Sequence, residues 1–186
     1  DRLRSRGLGD VYKRQERIYG ELMEGIGVTD TLKQVVISGD GNINKFYDIA
    51  ANMMDDSIQS IQIAPNGVVT EIYPEERNES SKIDLINDSD RGEISRYARD
   101  NDTVIMQGPL KLKQGGYGIA VRNPVYLEDE NGKKSFWGFT IVILKVPEIF
   151  SDSVEALSNF GYKYSLQKCA SPWDDTYEWV YGSKKE

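Results

Sequence analysis

The chain has 186 residues, 39% hydrophobic and 28% charged, with a net charge of −7. This suits one ordinary domain with a packed core and is too apolar for disorder. The absence of histidine excludes Ser-His-Asp triads, Cys-His nucleophiles and imidazole-ligated metals, and a single cysteine excludes internal disulfides and multi-Cys zinc sites.

The charge is uneven along the chain. Residues 1–15 carry five basic and two acidic side chains, which leaves −10 on the other 171 residues. So acidic a body argues against a nucleic-acid surface, which shows a basic stripe. The basic opening reads either as a juxtamembrane or nucleic-acid arm or as an artefact. The string Gly7-Leu8-Gly9-Asp10-Val11-Tyr12-Lys13-Arg14-Gln15 resembles a translated sequencing adapter. Residues 1–15 are therefore set apart as a scar, which would make the chain a fragment.

From Glu16 to Ile26, Ile18, Leu22 and Ile26 recur every four residues on one helical face, interrupted by Gly20, Gly25 and Gly27. A second helix is predicted from Ile43, Phe46, Ala50, Met53 and Met54, with Asp40-Gly41-Asn42 as its capping stretch. Then the period becomes two. Ile58, Ile61 and Ile63 lead to Pro65-Asn66-Gly67, and Val68–Tyr73 leads away, the pattern of a tight hairpin. A polar loop covers residues 75–88. Ile94, Tyr97 and Ala98 mark a short helix beginning near Asp88–Asp90. Strands follow at about 103–112, 117–127 and 136–146, separated by Gly115-Gly116 and Glu130-Asn131-Gly132. Phe136–Leu144 is apolar on both faces and is predicted to be the central, doubly covered strand. Its run Phe139–Leu144, with one Thr, is six residues long, against about 20 for a membrane helix. A helix is predicted over Pro147–Phe160, then aromatic-rich segments at Tyr162–Cys169 and Tyr177–Tyr181. Tyr177, Trp179 and Tyr181 should pack one face of a terminal strand. The fold class is α+β: a PAS-like antiparallel sheet with flanking helices and a long N-terminal helical segment.

Several motifs have bland readings. Asp40-Gly41-Asn42-Ile43-Asn44 starts like a calcium loop but has Lys45 at position six and Ala51 at position twelve, so it reads as a helix-entry turn. Gly115-Gly116-Tyr117-Gly118 joins two strands and is no dinucleotide fingerprint. Asp55-Asp56, Glu75-Glu76 and Asp174-Asp175 read as solvated surface, although glycosidases pair carboxylates. No convincing nucleophile–base pair exists, so no enzyme activity is expected.

The middle of the chain carries a more specific signal. Gln62-Ile63-Ala64-Pro65-Asn66-Gly67-Val68-Val69 with Ile72-Tyr73-Pro74 resembles the first hairpin of CHASE domains. The resemblance continues through Asp90-Arg91, Ala98-Arg99-Asp100, Gly108-Pro109-Leu110-Lys111-Leu112, Gln114-Gly115-Gly116-Tyr117-Gly118, Pro124-Val125-Tyr126 and Phe136-Trp137-Gly138-Phe139. It covers residues 40–150. It implies an extracellular or periplasmic sensory region, held between two membrane helices, that binds a small molecule and signals to a histidine kinase or diguanylate cyclase. On this division residues 16–150 are the sensor, including its N-terminal helices. Residues 151–186 are a helix end and an aromatic-rich hairpin leading toward a membrane helix.

The resemblance also implies three ligand contacts, by analogy with the plant cytokinin receptors. Asp90 matches the carboxylate that bonds adenine. Lys113 stands where those receptors have an apolar residue, and Arg122 where they have threonine. Two cations point away from a neutral purine and toward a small anionic or zwitterionic ligand, with Arg122 reading its acidic group. Each residue has a rival reading. Asp90-Arg91-Gly92-Glu93 resembles a capping box with Asp90 as the N-cap. Arg122 lies on a strand face with Ala120, Pro124 and Tyr126, where it lines a pocket or pairs with a surface acid. Lys113 is a ligand contact or merely solvated. No cofactor is called for. A homodimer through Ile18, Leu22 and Ile26 is expected from the family, and the alternative function is a non-signalling dimerisation or binding module with no small-molecule ligand.

Overall fold

The computed structural model describes residues 2–75, 83–112, 115–159, 161, 163, 165–169 and 176–182, with backbone alone for 2–18, 156, 157, 166, 169 and 181. One long helix, α1 (Arg2–Ser38), precedes a short α2 (Phe46–Met53) and the strands β1 (Ile58–Pro65) and β2 (Glu71–Tyr73). Then come α3 (Gly92–Asp100), β3 (Ile105–Lys111), β4 (Tyr117–Glu128) and β5 (Lys134–Val146). A 3₁₀ turn (Glu148–Phe150), α4 (Ser151–Asn159), β6 (Ser165–Cys169) and β7 (Tyr177–Gly182) close the chain.

Five strands form one antiparallel sheet in the order β2-β1-β5-β4-β3, the expected PAS-like arrangement. β5 is central, as its two-sided apolar pattern predicts. Helix α1, with α2, covers one face through Leu32, Phe46, Ala50, Ile61, Val121, Val142 and Leu144. The other face packs Ala64, Ile105, Phe139 and Ile141 against Ala98 of α3 and against Val69 and Leu85. Among the described residues no helix is long and apolar enough to cross a membrane.

Helix α1 differs from the sequence expectation in both length and buried face. It continues past Ile26 to Ser38, and its buried stripe is Gly25, Thr29, Leu32 and Val36. Leu22 and Ile26, half-buried, pack against the domain's own core. Gly25 is what lets the helix approach β5: a Cβ there would lie 2.5 Å from Leu144 Cδ1. Asp40-Gly41 ends α1 and does not cap α2. Asp40 (φ 50°) and Gly41 (φ 82°) are left-handed. Their N–H groups donate to the carbonyls of Ile37 and Val36, a Schellman stop. Helix α2 accordingly starts at Phe46, not Ile43.

Three further expectations are corrected. Asn66 (φ 54°) and Gly67 (φ 82°) do make the predicted tight turn, but the chain then diverges. Val68 bridges Asp84, Val69 N–H donates to the Ile83 carbonyl, and only Glu71–Tyr73 pairs with β1. The C-terminal helix begins with the 3₁₀ turn, and α4 proper starts at Ser151. In β7, Val180 is buried while Tyr177 and Trp179 are exposed, so those aromatics do not form the inward face; the Tyr181 side chain lies outside the described residues.

Gly25 and Gly27 of α1 therefore predict opposite outcomes. A Cβ on Gly27 meets nothing within 4 Å, so Gly27→Ala should stabilise by about 0.5–1 kcal/mol through helix propensity. Gly25→Ala gains the same propensity but must displace the fully buried Leu144, and should destabilise by about 1–3 kcal/mol. Urea unfolding midpoints of the two variants check the sign of each.

Candidate functional site

The sheet face beneath α3 is mainly apolar, carries the amides of Gln62 and Gln107, and buries one charged side chain. Arg122, mid-way along β4, pairs with Ile105 of β3 on one side and Ile141 of β5 on the other. Directly opposed residues share a sheet face, so the guanidinium belongs to the Ile105, Phe139 and Ile141 layer. It is 2% exposed. Among the described residues its hydrogen-bond partner is neutral: Nη1 donates to Gln107 Oε1 at 2.7 Å. Among the described residues the surface ion pair that sequence reasoning left open is not formed. Burial, together with the neighbouring Arg91 charge, pushes its pKa down to about 10, with Asp88 acting in the opposite direction. It therefore stays charged at neutral pH.

Gln107 owes its position to a bulge. The pairing runs Gln107 with Ala120 and resumes at Leu110 with Gly118, skipping Gly108-Pro109. Gly108 sits at φ 132° with its backbone against the Gly118 carbonyl oxygen, 2.7 Å from where a Cβ would stand. Such bulges re-aim neighbouring side chains. Here the Gln107 amide spans two elements: Oε1 accepts from Arg122, and Nε2 donates to the Asp90 carbonyl at 3.0 Å.

The sequence-predicted residues are thus only partly brought together. Asp90 reaches Arg122 through its main-chain carbonyl and Gln107, while its own carboxylate is exposed and accepts a bond from the Ser89 hydroxyl. Asp90 is not the cap of α3. Asp88 fills that place: its Oδ1 accepts the N–H groups of Asp90 and Arg91, and its Oδ2 accepts from Arg91 Nη1 at 3.0 Å. Lys113 lies outside the described residues.

Two buried polar residues have no signature in the sequence. Asn123 is 1% exposed on the opposite sheet face. Its Nδ2 donates to Asp30 Oδ1 (2.7 Å) and Thr29 Oγ1 (3.4 Å), and its Oδ1 accepts from Lys33 Nζ (3.3 Å), all on α1. Ser95, on the buried side of α3 with Gly92 and Ala98, is the other. Tyr97, expected on that buried side, points outward at 41% exposure.

A concavity of about 750 Å³ lies between α1, residues 55–57 and residues 148–152. Glu21, Glu24, Asp55, Asp56, Glu148 and Asp152 line it, so it repels anions. No group of three or more candidate metal ligands occurs among the described residues.

The sequence model of the CHASE domain matches residues 46–168. This chain belongs to the CHASE family. That makes it a sensory domain of the extracellular type, and Arg122 lies inside the matched segment. An extracellular ligand-binding receptor from Desulfohalobium retbaense DSM5692 has a similar fold, with a TM-score of 0.64 at 13% identity. The similarity covers 84% of this chain and 28% of the receptor, so this CHASE domain spans well under half of that protein's length. No curated protein matches the chain.

Asp88 ties the segment over Arg122 to the start of α3 in a pH-dependent way. Burial raises its pKa, but the two N–H bonds and the Arg91 guanidinium outweigh that and hold the carboxyl below the usual range. A depressed folded-state pKa contributes stability above the unfolded value of about 4, which is lost as pH falls through the folded value. The Asp90 and Arg91 amide resonances should therefore titrate below pH ~4. Asp88→Ala should abolish that titration and cost about 1 kcal/mol at neutral pH.

Proposed function

We propose that this CHASE domain is the extracytoplasmic sensing part of a transmembrane histidine kinase or diguanylate cyclase, and that it reads a small anion through Arg122. The observation that carries the reading is a 98% buried guanidinium whose one described hydrogen-bond partner is a neutral amide. A guanidinium is a rigid fork suited to carboxylate or phosphate. Holding that proton in an apolar layer, with the pKa down at about 10, costs folding on the order of 3 kcal/mol at any pH below that value. An anion bound there would offset the cost. Asp90 and Lys113 remain in the proposal as further ligand contacts, and a zwitterion would place its ammonium near the Asp90 carboxylate.

The route inward is short. Arg122 and Asn123 are consecutive and face opposite sides of the sheet; the first lies under α3, and the second holds α1 through Thr29, Asp30 and Lys33. A small shift of β4 on ligand binding would move the anchor of α1. Such coupling works only if the ligand prefers one of the two arrangements.

The test is thermal unfolding of the chain with acetate, propionate, lactate, pyruvate, succinate, glutamate, phosphate and adenine. A ligand at a hundred times its Kd adds about 2.7 kcal/mol, which for this size is roughly 5–10 °C. Arg122→Met should raise the ligand-free midpoint by about 3–8 °C, because a buried charge without a counter-charge is replaced by apolar volume, and should remove the anion response. An adenine shift, or an anion shift that survives in Arg122→Met, would reject the anion reading.

A further inference from the structure

Beneath α3 there is one buried hydroxyl that the fold does not use. Ser95 is fully buried, and its Oγ makes no hydrogen bond among the described residues. A serine inside a helix ordinarily bonds the carbonyl three or four residues back, or points to solvent. Ser95 does neither, while its backbone N–H donates to the Arg91 carbonyl in the ordinary way. Alanine would be the better residue on both counts, since it is the stronger helix former and leaves no desolvated hydroxyl. The position carries a polar atom at a cost in stability.

Two hydrogen bonds set how α3 lies along β4. At the N-terminal end of α3, Gln107, which is opposite Ala120 of β4, donates to the Asp90 carbonyl. At the C-terminal end, the Tyr126 hydroxyl of β4 donates to the Arg99 carbonyl. The helix is therefore laid along β4 from the level of Ala120 to that of Tyr126. Ser95, midway between the two anchors and on the buried side, falls over the stretch of β4 that carries Arg122. The apolar part of that layer is Ala98, Ile105, Phe139 and Ile141, with the amides of Gln107 and Gln62 on the same sheet face.

We propose that Ser95 Oγ is a second ligand contact, and that the ligand is a small carboxylate with a hydroxyl or carbonyl beside the carboxyl carbon, its acid on Arg122 and its second oxygen on Ser95. This rests on the reading of Arg122 as the anion contact and adds the chemical class to it. A serine hydroxyl both donates and accepts, so 2-hydroxy and 2-oxo acids fit equally. The apolar remainder of the layer favours a short hydrocarbon body over a second charge.

Calorimetric titration with propionate, lactate and pyruvate tests this, on the unmodified chain and on Ser95→Ala. The chain should bind lactate or pyruvate about tenfold more tightly than propionate, the worth of one added hydrogen bond. Ser95→Ala should bring the three acids level, with propionate affinity unchanged. Without ligand, Ser95→Ala should raise the unfolding midpoint by about 2–4 °C. A preference that survives in Ser95→Ala overturns the proposal, as does equal affinity of the unmodified chain for all three acids. A fall in the ligand-free midpoint also overturns it, because the hydroxyl would then be structural. If none of the three binds while another anion does so through Arg122, the Ser95 assignment fails alone. If no anion binds, both readings fail together.

Discussion

Strand β4 is buried on both faces, and on consecutive residues it carries a cation to one side and an amide to the other. Most of the structure follows from satisfying those two groups. Apolar packing is non-directional and would hold α1 and α3 on the sheet in many nearly equivalent positions. Hydrogen bonds from buried polar groups are not so tolerant, because leaving one unmade costs the full desolvation of the group. Asn123 therefore fixes the register of α1 through Thr29, Asp30 and Lys33, with Thr140 adding a bond to the Thr29 carbonyl. Arg122 fixes its own side through Gln107, which in turn holds the Asp90 carbonyl.

The charge distribution sets this interior against its surroundings. The chain is acidic overall, at −7, and its acid-lined concavity lies at α1 and the 148–152 segment, apart from the layer beneath α3. Exposed charges are screened over about 8 Å at physiological ionic strength, so the acidic exterior does little to an anion already inside. The buried guanidinium acts at short range in a low dielectric, where a single charge counts for far more. Selection by such a site would depend on fit inside the layer and not on long-range steering. Arg91, held by Asp88, adds a second positive charge near Arg122.

Arg122 sits in a buried, neutral-partnered setting, the opposite of what a surface arginine would show. The CHASE fold tolerates this because Gly108-Pro109 bulges out of the β3 ladder and turns Gln107 onto the guanidinium. A sheet without that bulge would leave the charge with apolar neighbours alone, Ile105 and Ile141.

Much of the architecture was legible in the sequence because strand and turn signals are local. The period-two runs, Asn66-Gly67 and the two-sided apolar run at 136–144 gave the strands and the central place of β5, since side-chain alternation and turn chemistry act between neighbours in the chain. The family resemblance pointed to Arg122 and Asp90. The length and inner face of α1 were not legible, because Gly25 reads as a helix weakener until Leu144 is placed against it. Nor was Ser95, since a polar residue is not counted in an apolar period and Tyr97 took its place. The cap at Asp88, the turn of Gln107 onto Arg122 and the grip of Asn123 on α1 each join residues far apart in sequence or choose among equivalent local acceptors. Alternation and propensity are properties of neighbouring residues and were fixed by the chain itself. Which buried polar groups meet depends on how helices and sheet stack, and that was decided only by the tertiary structure.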